Sequence, residues 1–329
     1  MQKISGLTGS KLGGAAILME LGSQYGVLDA LRETDQVSVG KLQKISRVNG
    51  TVLADYLDAL AQAGLLRREG NSASVVYQVT AEFETVVNHV GYVAWALNAC
   101  APLLNNALAF ATDNEAAQAR YPREGGVVAR TSQWMGATSF YPQPEDAIVR
   151  MVPSRIMDLG SGSGSLLTRL LNRVEGSSGI GIDLSGQATA QAQELARLNN
   201  LAHRLEFIHS PIQALIDNPH YLEGVEVVHA GFVLHDLLPA EEAALEGLMR
   251  AIRAHASVRA FVIVDAIPAA PDEWERTFAA AFNHLHAHFM SRRLLAEDEW
   301  REKLTAAGFR HVVIETLNHP GGRMIIASP

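Results

Sequence analysis

The chain has 329 residues, of which 48% are hydrophobic and 19% are charged, and its formal net charge is -8. This length and composition predict a globular enzyme of two or three packed units rather than a disordered or fibrous chain. The negative charge disfavours nucleic acids and anionic membrane surfaces as partners, because both are bound through Lys and Arg. Cys100 is the single cysteine, which excludes an internal disulfide and a cysteine metal cluster, so we expect a cytoplasmic protein.

The N-terminal segment, residues 15–80, has apolar residues at helical spacing followed by strand-like stretches. The stretch LLRREGNSASVVYQV indicates two strands joined around Gly70 and Asn71, a pattern typical of a winged-helix domain. Such a domain serves either DNA binding or packing and dimerisation. We favour packing and dimerisation, because the helix that would enter the DNA groove, TVLADYLDALAQAG, contains no Lys or Arg. We therefore predict a dimerisation domain over residues 1–82.

Residues 83–147 are predicted to form a helical connector. Its apolar run VGYVAWALNACAPLLNNALAFA is the nearest approach to a membrane span, but the asparagines would be costly in lipid. We interpret the run as a buried helix pair that breaks near Pro102. The N-terminus also lacks a basic region followed by a signal-like apolar stretch, so we expect neither secretion nor membrane insertion.

Beyond Pro153, apolar strand-like runs alternate with helical stretches. The runs are RIMDLG, GIGIDL, LEFIHS, VEVVHAGFVL, RAFVIVDAI, HVVIETL and RMIIAS. Such alternation predicts an α/β domain over residues 148–329, with a mostly parallel, doubly wound sheet and helices on both faces.

A glycine loop, in the stretch MDLGSGSGSLLTRLL, lies between an apolar strand and an amphipathic helix. Gly160, Gly162 and Gly164 permit unusual backbone angles and the close approach of a ligand to the main chain. Asp183 ends the next predicted strand, where a carboxylate accepts hydrogen bonds from both hydroxyls of a ribose. Glycines alone are consistent with a simple tight turn, but the strand, loop, helix, strand and terminal acid together indicate a nucleotide site.

The order Asp-Leu-Gly-Ser-Gly-Ser-Gly differs from the G-x-G-x-x-G spacing usual in dinucleotide-binding folds. The chain from 153 to 328 instead resembles the class I S-adenosylmethionine-dependent methyltransferases, whose first motif is an acid, any residue, then Gly-x-Gly-x-Gly. Their Rossmann-like sheet ends in a reversed strand, which fits the closing pair HVVIETL and RMIIAS. The resemblance implies a cofactor site formed by Asp158, Gly160, Ser161, Gly162, Asp183, Ser210 and Gly231.

Roles within this cofactor site also follow from the resemblance. Gly160 and Gly162 are expected to line the methionine part of S-adenosyl-L-methionine, and Asp183 is expected to hold the ribose. Many members carry an acid near the adenine, whereas this chain has Ser210, which is expected to bond the adenine amino group.

His235 and Asp236 follow the fourth predicted strand, in the stretch GFVLHDLL. Ligands of open α/β sheets bind beyond the carboxyl ends of the strands, so this pair is expected to face the substrate. The whole chain resembles the small-molecule O-methyltransferases, which dimerise through the N-terminal domain and use the histidine of an LHDW motif as general base. Leu237 and Leu238 depart from that motif, which carries a tryptophan. Capping of the following helix is an alternative for Asp236 alone.

Three further histidines, His284, His286 and His288, lie in the helical stretch FNHLHAHFMSRR. The first and last share a helix face while the middle one points elsewhere, so the three cannot all serve one site. One of them with His235 and Asp236 would form a two-histidine, one-carboxylate metal site. That set resembles a branch of the same enzymes that C-methylates α-keto acids at the β carbon through a metal-chelated enolate. The resemblance favours His286 as third ligand of an iron or zinc ion, with the other two as alternatives.

The connector resembles the segment that roofs the active site in the same branch. Arg130 would there bind a substrate carboxylate through two hydrogen bonds, although an exposed arginine near a helix start is an equal interpretation. Trp134, Phe140 and Tyr141 would line the pocket, or belong to the core as such clusters commonly do.

The sequence therefore predicts a homodimeric S-adenosylmethionine-dependent methyltransferase that C-methylates a metal-chelated α-keto acid. The alternative is O-methylation of a hydroxyl, with His235 as general base and no metal. Further alternatives are a DNA-binding regulator that senses a ligand through the same fold, and a cofactor-binding enzyme with another reaction. We expect a small, carboxylate-bearing substrate and no nucleic-acid or membrane partner.

Overall fold

A computed structural model describes residues 8–70 and 75–329. These residues form two compact units, one of residues 8–104 and 123–138, the other of residues 105–122 and 139–329. The segment predicted as a connector, residues 83–147, is thus shared between the two units, and the predicted boundaries at 82 and 147 stay predictions.

The first unit combines short helices with a small sheet. Its helices are α1 (Gly9–Gln24), α2 (Leu28–Arg32), α3 (Val39–Leu42), α4 (Gly50–Gln62), α5 (Phe83–Ala94), α6 (Ala101–Leu104) and α9 (Gly125–Gly136). Its strands are β1 (Gln36–Val37), β2 (Leu66–Glu69) and β3 (Val76–Val79), which pair antiparallel in the order β1-β3-β2. The β2–β3 pair matches the predicted pair of strands, while Asn71 lies outside the described residues. The winged-helix assignment stays a prediction.

Helix α4 shows how local sequence sets these elements. The Asn49 side chain accepts a hydrogen bond from the Thr51 N–H at 2.8 Å, which caps the helix start. Leu53, Tyr56, Leu57 and Leu60 are buried at helical spacing, so one apolar stripe packs into the core of the first unit.

The long apolar run predicted as a broken helix pair forms several short helical segments. Helix α5 continues into a π-helical turn over Trp95–Ala99, and α6 begins directly after Cys100. The break therefore precedes Pro102, which lies in the first turn of α6, where its missing N–H is not needed. Among the helices of residues 8–70 and 75–329, none is long and apolar enough to cross a membrane.

The second unit is an α/β domain. Its strands are β4 (Arg155–Leu159), β5 (Ser178–Asp183), β6 (Leu205–His209), β7 (Val227–Gly231), β8 (Ala260–Ala266), β9 (His311–Thr316) and β10 (Gly322–Ser328). Its helices are α7 (Ala107–Thr112), α8 (Asn114–Arg120), α10 (Pro142–Met151), α11 (Ser165–Arg173), α12 (Gly186–Leu198), α13 (Ala214–Asp217), α14 (Glu242–Ala254), α15 (Glu273–Phe289) and α16 (Glu297–Ala306).

The seven strands lie in the order β6-β5-β4-β7-β8-β10-β9. Strands β4 to β8 pair in parallel, whereas β10 runs antiparallel to both β8 and β9. This confirms the predicted α/β, Rossmann-like sheet with a reversed C-terminal strand. The chain moves outward from β4 through β5 to β6 and then returns to place β7 on the other side of β4. Open α/β sheets bind ligands at such a switch point, so we expect a ligand site at the carboxyl ends of β4 and β7.

Candidate active site

The glycine loop follows β4 at this switch point. Gly160, Gly162 and Gly164 have φ values of +70°, +53° and +74°, which side chains rarely tolerate. A Cβ on Gly160 would lie 2.8 Å from a Val233 methyl, and one on Gly164 would lie 2.7 Å from the Phe207 ring. A Cβ on Gly162 would meet nothing within 4 Å. The outer two glycines therefore permit close packing, and the middle one borders open space that a ligand can fill.

Asp183 lies at the end of β5, beside the glycine loop. Its Oδ2 accepts a hydrogen bond from the Gly162 N–H and its Oδ1 accepts one from the Ser185 N–H, both at 2.8 Å. Each carboxylate oxygen can accept a second bond, so the half-buried group is able to receive ribose hydroxyls. The Ser210 N–H donates to the Asp183 carbonyl at 2.9 Å, which places Ser210 at the same end of the sheet. These residues fit the nucleoside part of the predicted cofactor.

Other predicted cofactor residues face the interior beneath the loop. Ser161 is nearly buried, and its Oγ would lie 2.6 Å from a Cβ on Gly181 of β5. Asp158 is buried and its Oδ1 lies 2.7 Å from Nδ1 of the buried His229. Gly231 ends β7, where a Cβ would lie 3.0 Å from the His229 ring. Their predicted contact with cofactor stays a prediction, and the Asp158–His229 contact joins β4 to β7. His229 is a residue that the sequence reasoning missed.

His235 lies in a single 3₁₀ turn, Leu234–Leu237, directly beyond β7. It is buried, and its Nδ1 lies 2.6 Å from Oδ1 of Asp265, a 1% exposed residue of β8. The same oxygen accepts the Ala266 N–H at 2.8 Å. Because a carboxylate can only accept, the Nδ1–H donates to it, and Nε2 of neutral His235 is left as the basic nitrogen.

Asp265 was not identified from the sequence. The available signal was the one acid in RAFVIVDAI, an otherwise apolar strand that lies beside β7 in the structure. In a parallel sheet, the ends of adjacent strands meet at the same edge, which brings Asp265 to His235.

The surroundings of His235 favour its protonated form. Burial opposes protonation, but the negative charge and hydrogen bond of Asp265, aided by Asp236, outweigh burial and raise the pKa of His235 above its ordinary value. The positive charge of Arg292 acts in the opposite direction. The raised pKa makes His235 a stronger base than an ordinary histidine, which suits a group that accepts a proton during a reaction.

The predicted metal site of His235, Asp236 and His286 is not supported by the geometry. Asp236 is half-exposed, and its Oδ1 lies 4.0 Å from Nε2 of His235 and 3.4 Å from Nε of Arg292. Within residues 8–70 and 75–329, no three His, Cys, Asp or Glu side chains are grouped to hold a metal ion. The Asp236 carboxylate lies beside Arg292, and Asp236 does not cap the following helix, because α14 begins at Glu242 with Glu241 as its N-cap.

The three histidines of α15 separate as their spacing predicts. His286 is buried and its ring lies edge-to-face with that of His235, with centroids 5.0 Å apart. His284 and His288 are exposed, and their rings lie 4.7 Å from each other. Of the three, only His286 therefore contacts His235.

An aromatic cluster in the second unit lies next to His286. Phe282 stacks on His286 with ring centroids 3.9 Å apart, and Phe140 packs edge-to-face on Phe232 at 4.9 Å and on His319 at 5.2 Å. Burial lowers the pKa of His319 to about 3, so this ring stays neutral. Phe232 has a φ of +52°, a strained conformation directly after β7. This cluster includes Phe140, one of the predicted pocket residues.

Other predicted pocket residues are placed differently. The Tyr141 ring lies under the Arg169 guanidinium, 4.4 Å from its carbon. Trp134 is buried in the core of the first unit. Arg130, also in the first unit, lies 3.3 Å from a Glu20 oxygen and 5.8 Å from the Trp134 ring. The role of Arg130 in binding a substrate carboxylate stays a prediction.

Comparison with known proteins agrees with this geometry. Residues 153–329 match the family described as "Methyltransferase domain". A release factor glutamine methyltransferase of Agrobacterium fabrum is 31% identical over 117 residues, which are 32% of this chain and 40% of that protein. The chain spans less than half of the length of the curated relatives it matches.

Two solved structures are similar over nearly the whole chain. The mitomycin 7-O-methyltransferase MmcR has a TM-score of 0.53 at 15% identity, with 96% of this chain and 94% of that chain covered. Human N-acetylserotonin methyltransferase, solved in complex with S-adenosylmethionine, has a TM-score of 0.55 at 15% identity, with 100% and 99% covered.

The second unit thus has the fold of the class I S-adenosylmethionine-dependent methyltransferases. The family match covers more than half of the chain, and the chain belongs to this methyltransferase-domain family.

Proposed function

We propose that the protein transfers a methyl group from S-adenosylmethionine to a hydroxyl oxygen of a small molecule, with His235 as general base. The observation that carries this proposal is the buried His235–Asp265 pair, which orients Nε2 of His235 at the ends of the strands that also carry the glycine loop. This was the alternative prediction from the sequence.

Each residue of the site has a defined task in this reaction. Nε2 of His235 accepts the proton of the acceptor hydroxyl, which makes the oxygen nucleophilic. Asp265 is a positioning residue that fixes the imidazole tautomer and stabilises the imidazolium once the proton has moved. Asp183 and the Gly162 main chain would hold the cofactor, which supplies an electrophilic methyl group on a sulfonium.

The structure offers less support for C-methylation of an α-keto acid. That reaction was predicted on a metal held by His235, Asp236 and His286, whereas no three His, Cys, Asp or Glu side chains among residues 8–70 and 75–329 are grouped to hold a metal ion. O-methylation needs only a base beside the acceptor, which His235 supplies. MmcR, one of the similar structures, is itself named as an O-methyltransferase.

We further propose that the first unit is a winged-helix-type domain that forms a homodimer. Ile17 of α1 and Leu97 of the π-helical turn are 64% and 63% exposed in this unit, and an apolar partner surface would cover them. Helix α4 has no Lys or Arg, which disfavours the DNA-binding alternative. Sedimentation velocity tests this proposal: a concentration-independent monomer contradicts it.

The methyl-transfer proposal is tested with methyl-labelled S-adenosylmethionine and a panel of phenols, aliphatic alcohols and α-keto acids. NMR of each product distinguishes a methyl group on oxygen from one on carbon. Methyl ethers formed in the presence of EDTA, and lost in His235→Gln, support the proposal. A C-methylated keto acid, with its formation abolished by EDTA, contradicts it.

The cofactor half of the site has its own test. Gly162→Val introduces a side chain into the open space beside Asp183 at a φ of +53°, so we expect it to abolish S-adenosylmethionine binding in calorimetry. Gly126→Val, at a glycine of the first unit with open space around it and no strained φ, is the control and should bind as wild type. Normal binding by the Gly162 variant would place the cofactor elsewhere.

A further inference from the structure

We propose that Arg292 binds an anionic group of the acceptor, and that the natural acceptor is a hydroxylated molecule that bears a carboxylate. This inference rests on the proposed function, since it names the substrate class of the same site. It also assigns anion recognition to a residue that the sequence reasoning did not consider.

Arg292 is tied to the active site at two points. Its backbone N–H donates to the His286 carbonyl at 2.8 Å, directly after α15. Its Nε lies 3.4 Å from Oδ1 of Asp236, and that same oxygen lies 4.0 Å from Nε2 of His235. Both distances are measured to Oδ1 of Asp236. Nε of Arg292 therefore lies no farther from Nε2 of His235 than the sum of the two distances. A small molecule can therefore contact both groups at once.

The guanidinium of Arg292 is oriented by Asp236 and still has hydrogen-bond donors for a ligand. Its Nε edge is turned to Asp236, and in the part of the chain that the structure describes no other ion pair or hydrogen bond engages its side chain. The terminal NH₂ groups thus keep their donors, and 36% of the side chain is exposed to solvent. A planar fork of this kind matches the two oxygens of a carboxylate.

An acceptor anion at this place needs a cation beside it. Asp265 and Asp236 lie on two sides of the imidazole, and a further negative group beside them would be repelled. Arg292 is the cation whose charge reaches His235, so it offsets that repulsion. A carboxylate on Arg292 would hold the acceptor hydroxyl near Nε2 of His235 and restrict its rotation.

The next residue provides a matched control. Arg293 has nearly the same exposure, 39%, but its NH1 lies 2.5 Å from Oε1 of Glu299 and its NH2 lies 3.4 Å from Oε1 of Glu242. Its charge is therefore committed to two carboxylates. Replacement of Arg293 changes the net charge as replacement of Arg292 does, but it removes a side chain that is already paired with two carboxylates.

The experiment compares the binding of 2-hydroxybenzoate and 2-hydroxybenzamide, and of the corresponding naphthalene pair, by calorimetry on the full chain with S-adenosylhomocysteine present. We expect the acids to bind wild type about tenfold more tightly than the amides, since charge-assisted hydrogen bonds are lost in the amides. Arg292→Gln should remove this preference, Arg292→Lys should restore part of it, and Arg293→Gln should keep it. Cofactor affinity should be equal in all four proteins.

Three results would overturn the inference: equal binding of acid and amide by wild type, a preference that persists in Arg292→Gln, or no binding of any acid at millimolar concentration. Failure of the proposed function has a different signature. An acid preference that depends on Arg292, without methyl transfer to any hydroxyl, would leave the anion site standing and remove O-methylation. Methyl transfer to neutral phenols, without a preference for acids, would support O-methylation and remove the anion site.

Discussion

Two buried histidine–aspartate pairs lie on or next to β7, and their histidines, His229 and His235, are only a few residues apart in sequence. His229 lies 2.7 Å from Asp158, and His235 lies 2.6 Å from Asp265. In both pairs Nδ1 meets a carboxylate oxygen, and all four side chains are buried. By pair geometry alone the two cannot be told apart.

Their positions in the sheet separate them. His229 and Asp158 are cross-strand neighbours within β7 and β4, so their bond joins two parallel strands below the glycine loop. His235 lies beyond the end of β7, with Asp236, Arg292 and His286 around its outer side. We infer that the inner pair holds the sheet together and the outer pair supplies the base, because only groups beyond the strand ends face the ligand crevice.

The largest effect is expected for His235→Gln. Without a base, kcat for O-methylation should fall by roughly 10²–10⁴-fold, the usual contribution of general-base catalysis. Steady-state kinetics measures the loss, and calorimetry should show unchanged cofactor affinity. A variant that keeps wild-type kcat would exclude His235 as the base.

Asp265→Asn should have the next largest effect. An amide holds the imidazole less firmly and can donate to Nδ1, which moves the proton to Nε2 and leaves no basic nitrogen toward the acceptor. Misplacement of the base by this change should lower kcat about 10²-fold. The pKa of His235 should also fall, so the acid limb of the pH–rate profile should move to lower pH. An unmoved acid limb would show that Asp265 does not act through His235.

The third largest effect is expected in the dependence of kcat/KM on pH for the wild-type protein. Protonated His235 cannot accept a proton, so kcat/KM should drop about tenfold per pH unit on the acid side of its pKa. Since Asp265 and Asp236 outweigh the effect of burial, the midpoint should lie above the ordinary histidine value of 6.5. Stopped assays across a buffer series measure it, and a midpoint well below 6.5 would mean that another group is the base.

His229→Gln should have the smallest effect on catalysis. The inner pair does not face the acceptor, so kcat should stay close to wild type. The free energy of unfolding should decrease by about 1–3 kcal/mol, because the buried Asp158 loses its hydrogen-bond donor. Urea denaturation measures this loss. A large fall in kcat without a loss of stability would assign the catalytic role to the inner pair.

The sequence by itself determined the α/β fold, the glycine loop and the presence of His235 at a strand end. These features depend on local signals: alternating apolar runs, glycines at positions that need positive φ, and a polar pair directly after an apolar strand. Asp183 could be predicted for the same reason, since it ends the strand that follows the loop.

Only the tertiary structure decided which carboxylate serves which histidine. The sequence places Asp236 next to His235, yet the buried partner is Asp265, thirty residues later, because β7 and β8 are neighbours in the sheet. Asp236 is half-exposed and pairs with Arg292. Spacing along one helix or strand is a local property, whereas contacts between side chains of different elements depend on how the sheet orders its strands and where each helix packs.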